Sequence, residues 1–257
     1  MKKILWLSLF FTKLSLAAVA FESEIGIYSD FIWRGTTFSE NKPAVQGILD
    51  AEEGHGVFLG TFVSNAEFSD EALGNNTHVT SEIDFIIGKR WFKENWEIQI
   101  SYNKFIFPNA EIFNSDEFNI TGRYKSIAYE ISYMDDYFGY QGVYQYYRLG
   151  YIHQLSPSLE TTIFVGYNAF KNPKGSLKSR CLDNACDATA QTTSGAGNPD
   201  YIDIYQVTRK TISNGTSFEL AFNWTNRKEY TAADKVISKT KAKDFAVVIA
   251  LIVPVPL

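Results

Sequence analysis

The stretch that decides the fold lies at residues 96–103 and reads WEIQISYN. Apolar or aromatic side chains occupy every second position, and Glu97, Gln99, Ser101 and Asn103 occupy the positions between them. Successive side chains of a β-strand point to opposite faces of the sheet. One face of this segment therefore suits lipid and the other suits water.

The same alternation recurs along most of the chain and predicts about twelve strands, an even number as single-chain bacterial barrels have. The predicted strands are residues 21–34, 44–53, 57–65, 79–91, 96–107, 117–125, 127–136, 143–155, 159–170, 201–213, 216–227 and 242–253. Tight-turn sequences and longer links alternate between them. The pattern predicts an all-β fold, an antiparallel transmembrane β-barrel with short periplasmic turns and longer extracellular loops. A soluble β-sandwich also alternates, but it has no reason to segregate short and long links.

The first twenty residues have the pattern of an export signal. Lys2 and Lys3 precede an apolar stretch at residues 4–16, and the small-residue sequence AVA ends at Ala20, before Phe21. The alternative, a membrane anchor, needs about 20 uninterrupted apolar residues. We therefore expect a signal peptide at residues 1–20 and a barrel domain at residues 21–257.

The composition fits this assignment and argues against nucleic-acid binding. Aromatic residues make up 16% of the chain, enough for girdles at both membrane interfaces, and the net charge is only -5. Aromatic residues near strand ends, such as Trp33 and Trp91, are expected to act as interfacial anchors.

The longest loop, at about residues 171–200, contains the only two cysteines, Cys181 and Cys186. In an exported chain a disulfide between them is expected, and half of a metal site is the alternative. This loop could fold into the lumen or cover the outside. We predict no metal and no cofactor.

Several segments resemble one known family. Residues 29–35 read SDFIWRG, residues 43–47 read PAVQG and residues 56–65 read GVFLGTFVSN, and similarity continues through residues 82–85 and 136–139. Together these resemble the TorF-type, or Gcw-chp, family of proteobacterial outer-membrane proteins assigned as porins. The resemblance implies a channel, and it carries no catalytic residues with it. The final PVPL differs from the aromatic residue on which such barrels commonly end.

The polar phase of the strands predicts which side chains line a lumen, because the apolar phase faces lipid. The predicted pore-lining residues are Asp30, Arg34, Gln46, Asp50, Asn65, Asp84, Arg90, Glu97, Arg123, Glu130 and Arg148. Acids and arginines are mixed, so strong charge selectivity is not predicted. These ions could pair across the lumen and hold the wall together, or create a transverse field that orients polar solutes. Arg34 is the strongest single candidate.

The sequence thus predicts a porin-like channel of the Gram-negative outer membrane, for passive diffusion of small polar solutes. The expected partners are outer-membrane lipid, those solutes and the barrel-assembly machinery, with the oligomeric state left open. One alternative is a structural or adhesive barrel that acts through its extracellular loops. Another is a lipid hydrolase, for which the three histidines, His55, His78 and His153, offer little because no catalytic motif accompanies them. We predict that the protein is not an enzyme.

Overall fold

The computed structural model describes residues 19–69, 78–138, 140–171, 200–227, 231–232, 235–236 and 245–256. Its strands, in chain order, are β1 (Val19–Tyr28), β2 (Ile32–Trp33), β3 (Thr36–Thr37), β4 (Ala44–Glu53), β5 (Val57–Ser69), β6 (His78–Lys93), β7 (Trp96–Ile106), β8 (Ser115–Tyr124), β9 (Ile127–Tyr137), β10 (Tyr140–Ser156), β11 (Leu159–Lys171), β12 (Tyr201–Thr211), β13 (Ser217–Thr225), β14 (Thr231–Ala232), β15 (Lys235–Val236) and β16 (Phe245–Pro254). The described residues contain no helix that is long and apolar enough to cross a membrane.

The twelve long strands close into one antiparallel barrel, which confirms the predicted fold. Each strand pairs with its neighbour in the chain, except that β2, β3, β14 and β15 stand outside the wall, and β16 pairs with β1 to close it. At the closure, Pro254 lies opposite Glu24, and the ladder continues past it, because Val255 N donates to Ser23 O at 2.9 Å.

The outer face of the barrel is an apolar belt. Side chains alternate between exposed and buried along β13 and β16, and the exposed phase carries aliphatic or aromatic residues such as Leu220 and Ile249. Ile249 is 62% exposed, which costs little when the surroundings are lipid. The hydrophobic residues that would form the core of a soluble protein therefore face outward.

The barrel has a short-turn end and a long-loop end, as the sequence predicts. The tight turn at the end of β4 closes with a hydrogen bond from Gly56 N to Glu53 O at 2.8 Å. The turns before β7, β9 and β13 each contain a residue with positive φ, namely Glu94, Lys125 and Gly215. Positive φ gives a two-residue turn the twist that an antiparallel hairpin needs.

The first strand is shorter than predicted. β1 ends at Tyr28 instead of continuing to Arg34, and residues 29–43 leave the wall. Within this segment β2 and β3 pair as a small hairpin, with Arg34 and Gly35 at its tip. Both tip residues have positive φ, 48° and 78°, as a type I′ turn requires. We call residues 29–43 the inward loop.

The inward loop crosses the lumen. It connects β1 to β4, yet its tip contacts Glu130 on β9, which lies six strands from β1 in either direction around the barrel. A side chain from one wall therefore reaches the opposite wall.

Aromatic side chains fill the lumen toward the long-loop end. Trp33 and Phe38 of the inward loop pack among rings from the wall, with centroid separations of 5.5 Å between each other and 5.2 Å between Phe38 and Phe68. The aromatic cluster consists of Trp33, Phe38, Phe68, Phe105, Phe107, Phe113, Tyr137, Phe138 and Tyr144. This is the core of the molecule, and it closes the outer half of the lumen.

Candidate functional site

The hairpin tip places the Arg34 guanidinium against the far wall of the lumen. Its Nη1 donates to Glu117 Oε2 at 2.5 Å, and its Nη2 donates to Glu130 Oε1 and to Ser132 Oγ, both at 2.6 Å. The Arg34 side chain is only 6% exposed, and the two carboxylates are 2% and 8% exposed. Because charges removed from water need partners, these contacts are what make the buried position of Arg34 tolerable.

The backbone of the tip is also fixed by the wall. The Tyr201 hydroxyl donates to Arg34 O at 2.9 Å. A Cβ atom added at Gly35 would lie 2.8 Å from Asp203 Cβ and 3.1 Å from Thr225 Oγ1. Close approach and positive φ together mean that only glycine fits at this position.

The base of the inward loop is held by hydrogen bonds of its own. Asp30 Oδ1 accepts from Thr37 Oγ1 at 2.6 Å and from Ser39 Oγ at 2.9 Å. Where the loop rejoins the wall, the Lys42 ammonium donates to Glu67, and this hydrogen bond raises the pKa of Lys42. Asp30 therefore shapes the loop and does not act as a free wall residue.

Three lumenal arginines are oriented by one repeated arrangement. Each guanidinium lies against an aromatic ring, and that ring covers a glycine of the neighbouring strand, where a Cβ would meet the ring at 2.3–2.7 Å. The three sets are Arg34 on Tyr146 over Gly166, Arg90 on Phe58 over Gly88, and Arg148 on Phe164 over Gly150, with Cζ-to-centroid distances of 4.4, 5.1 and 4.3 Å. The glycines make room for rings that lie along the wall, and the rings direct the arginines into the lumen.

The charged groups on the short-turn side of Arg34 are more exposed than Arg34 itself. Arg148, which binds the second oxygen of Glu130 at 2.6 Å, is 33% exposed. Closer to the short-turn end, the side chains of Arg90 and Glu97 are 26% and 38% exposed and 3.5 Å apart. The interior is therefore partly open to solvent on the short-turn side of Arg34, whereas Arg34 itself is buried.

Buried acceptor oxygens accumulate beside the Arg34 contacts. Glu82 and Asp84 point inward from β6 and are both buried. Among the described residues, no hydrogen-bond partner is found for Glu82 Oε2, Asp84 Oδ1, Asn103 Oδ1 and Asn119 Oδ1. This part of the wall has more acceptors than donors.

Ten of the eleven predicted pore-lining residues fall into three groups. The alternation of β4, β6, β7, β9 and β10 places seven of them on the inner face, namely Gln46, Asp50, Asp84, Arg90, Glu97, Glu130 and Arg148. Arg123 has the inner phase but lies at the short-turn rim, where its Nε donates to Lys125 O at 2.7 Å. Asp30 and Arg34 reach the lumen through the inward loop and not, as predicted, from a strand.

Asn65 lies on the outer face, which corrects the predicted phase of β5. Its Oδ1 accepts from Val45 N at 2.6 Å, and the side chain is exposed. The inner phase of β5 instead carries Phe58, Phe62 and Ser64. In β5 the polar side chains do not mark the inner face, because aromatic rings occupy the lumen of this barrel.

Trp33 is also placed differently from its prediction as an interfacial anchor, because it packs inside the aromatic cluster. Sequence reasoning also missed Phe38 and Ser132. Ser132 shares the strand phase of Glu130 and could have been found from it, whereas no periodicity signals that Phe38, in a connection, faces the lumen.

The three histidines, all within the described residues, lie at separate places in the barrel. His55 lies in a tight turn next to Glu53, His153 lies on the outer face beside Tyr151, and His78 begins β6 at the long-loop end. The described residues contain no group of three or more His, Cys, Asp and Glu that could hold a metal ion. Cys181 and Cys186 lie outside the described residues, so their disulfide stays a prediction.

Comparison with known proteins agrees with the fold. A family model described as "Bacterial protein of unknown function (Gcw_chp)" matches residues 15–251. No curated protein sequence matches the chain. Among solved structures, the KdgM porin superposes with a TM-score of 0.50 at 6% identity, over 91% of this chain and 98% of that one. The NanC porin gives a TM-score of 0.50 at 8% identity, over 93% of this chain and 100% of that one.

Proposed function

Because the chain belongs to the Gcw_chp family of bacterial proteins and folds as a closed twelve-strand barrel, we propose that it is a channel for small polar solutes. In this proposal the barrel lies in the outer membrane of a Gram-negative bacterium. Residues 1–20 are removed on export, and the short turns face the periplasm. Lipid surrounds the apolar belt, and the barrel-assembly machinery inserts the chain.

The observation that carries the proposal is the exposure of a charged side chain inside the lumen. A barrel with a purely structural interior has no need for a partly exposed charge such as Arg148, which is 33% exposed although it binds the buried Glu130, because charged groups are costly away from water. This exposure indicates a water-filled vestibule that ends at the buried Arg34 contacts. Solutes would enter this vestibule, and Arg34 would form the constriction.

The proposed channel opens when the inward loop leaves the far wall. The loop occupies the lumen with one hairpin, whereas the closed barrel around it does not depend on that hairpin for its ladder. Movement of residues 29–43 is therefore the simplest route from the closed lumen to a continuous one.

Single-channel recording tests this function. The refolded mature chain, checked for heat-modifiable gel migration, is inserted into a planar lipid bilayer. We expect rare discrete current steps from the native protein, and larger or more frequent steps from Arg34→Ala, which removes the three guanidinium hydrogen bonds at the constriction. Arg123→Ala serves as the matched control, because Arg123 lies at the rim. If no folded variant gives current, the protein is not a channel.

A second function, a structural or adhesive barrel, is favoured by one specific observation. The aromatic cluster fills the outer half of the lumen, with Trp33 and Phe38 contributed by the inward loop. A permanently closed barrel of this kind would act through its external loops. Folded but silent protein in the recording would favour this alternative.

A further inference from the structure

Most contacts of Arg34 are made with the barrel wall and not with the inward loop. Its two carboxylates come from β8 and β9, its hydroxyl from Ser132 and one of its rings from Tyr146 on β10. We call Glu117, Asn119, Glu130, Ser132 and Tyr146 the guanidinium pocket. The Trp33 ring, 4.2 Å from Arg34 Cζ, belongs to the inward loop and would leave with Arg34.

Withdrawal of the loop would leave the guanidinium pocket short of donors. Glu130 would keep Arg148 as a partner, at 2.6 Å. Glu117 would keep only the amides of Asn103 and Asn119, at 3.3 and 3.4 Å. A buried carboxylate that loses its cation is strongly destabilised, so the emptied pocket favours another cation.

The unpartnered oxygens beside the pocket point to the same ligand chemistry. Asn119 is 6% exposed, and its amide nitrogen donates to Ser132 Oγ at 2.8 Å while its Oδ1 has no partner among the described residues. Glu82 and Asp84, 3% and 7% exposed, each leave one further oxygen unpartnered. A ligand with several N–H donors would satisfy such oxygens, whereas an anion or a second acceptor would not.

The inner surface between the pocket and the short-turn end also favours cations. Glu22 and Asp50 are register partners on β1 and β4, and Glu24 and Glu52 follow on the same inner face. Among the described residues Arg90 binds Glu52 and Arg209 lies near Glu24, so two of these four carboxylates have an arginine close by. A cation that enters from this end meets carboxylates before it meets the constriction.

We infer that the guanidinium pocket binds the guanidinium or ammonium group of a small organic cation, which enters by displacing Arg34. This inference rests on the proposed channel function and names its substrate class. A planar guanidinium fits best, because it can donate to two carboxylates at once and lie against the Tyr146 ring, as Arg34 does. Arg34 of the inward loop and the solute therefore compete for the same pocket.

Potassium currents through Arg34→Ala provide the test, with guanidinium chloride, urea and oligogalacturonate as probes. Urea has the shape of guanidinium without its charge, and oligogalacturonate, the ligand in a solved complex of the KdgM porin, is an anion. We expect currents that select potassium over chloride. Guanidinium should block them at a concentration about tenfold or more below that of urea, the ratio that one charge-assisted hydrogen bond supplies. Oligogalacturonate should not block.

Two further variants show whether the block occurs in the pocket. In the Arg34→Ala background, Glu117→Gln should abolish the difference between guanidinium and urea, whereas Glu97→Gln, a lumenal carboxylate outside the pocket, should preserve it. Arg34→Gln is the second background, used if Arg34→Ala does not fold, because it removes the charge and keeps more of the side chain than alanine does. Currents that select chloride, or that guanidinium and urea block equally, would overturn this inference and leave the channel standing. Absence of current from every folded variant would overturn both.

Discussion

Glu130 is the residue that joins the inward loop to the wall most directly. Its two oxygens bind two different guanidiniums, those of Arg34 and Arg148, and its side chain is 8% exposed. A buried ion pair adds little net stability relative to an apolar core, but removal of one member is costly because its partner stays buried and charged. The contribution of Glu130 to stability is therefore seen mainly when Glu130 is removed.

We expect Glu130→Ala to lower the free energy of unfolding by about 3–5 kcal/mol, the cost of breaking a buried pair. Glu97→Ala is the matched control. Its carboxylate is 38% exposed and 3.5 Å from Arg90, and a pair of this kind contributes about 0–1 kcal/mol. The two variants are compared by urea titration in micelles, with heat-modifiable migration as the readout. Equal losses for both variants would show that the Arg34 contacts are solvated and not buried.

In the proposed channel, the inward loop is the element that separates a closed lumen from an open one. Each aromatic contact that Trp33 and Phe38 make in the cluster contributes about 0.5–1.5 kcal/mol beyond the area it buries. These contacts hold the loop inward together with the ion pairs of Arg34. The tip adds a geometric requirement, because Arg34 and Gly35 both adopt positive φ.

Gly35→Ala should weaken the inward position of the loop without damaging the wall. The left-handed conformation costs an alanine roughly 1–2 kcal/mol, and the new Cβ would lie 2.8 Å from Asp203 Cβ. Single-channel recording should therefore show a higher open probability, by about tenfold for each 1.4 kcal/mol. Gly215→Ala is the matched control, because Gly215 has a φ of 84° but lies in a turn before β13, away from the lumen. An unchanged open probability in Gly35→Ala would show that the hairpin tip does not control the opening of the channel.

Sequence periodicity predicted the elements of the wall but not the inward loop. At residues 96–103 alternate side chains face lipid and lumen, so the local sequence alone predicts β7. The position of Arg34 depends on contacts with strands that follow it by 83 and 96 residues. No local pattern encodes such contacts, and for that reason β1 was extended too far, although Arg34 was still identified as the leading lumenal residue.

At the scale of the whole molecule, the two halves of the lumen differ in the side chains that line them, whereas the outer surface is uniform. Aromatic packing fills the outer half of the lumen, and charged, half-exposed groups line the other half. The exterior is a single apolar belt, so the alternation that a soluble protein uses to build its core is here inverted. Because of this inversion, a charged residue should destabilise the barrel more on the outer face of a strand than on its inner face.

An arginine introduced on either face tests that inversion. Leu149 lies near the middle of β10 on the outer face and is 61% exposed, and Leu149→Arg should cost about 2–4 kcal/mol because lipid cannot solvate the charge. Thr121→Arg is the matched variant on the inner face of β8, where Glu130 is the register partner, and should cost about 1 kcal/mol or less. Both free energies are measured by urea titration of the barrel in lipid vesicles. Equal stability of the two variants would mean that the exposed belt faces water, and the transmembrane assignment of the barrel would then fail.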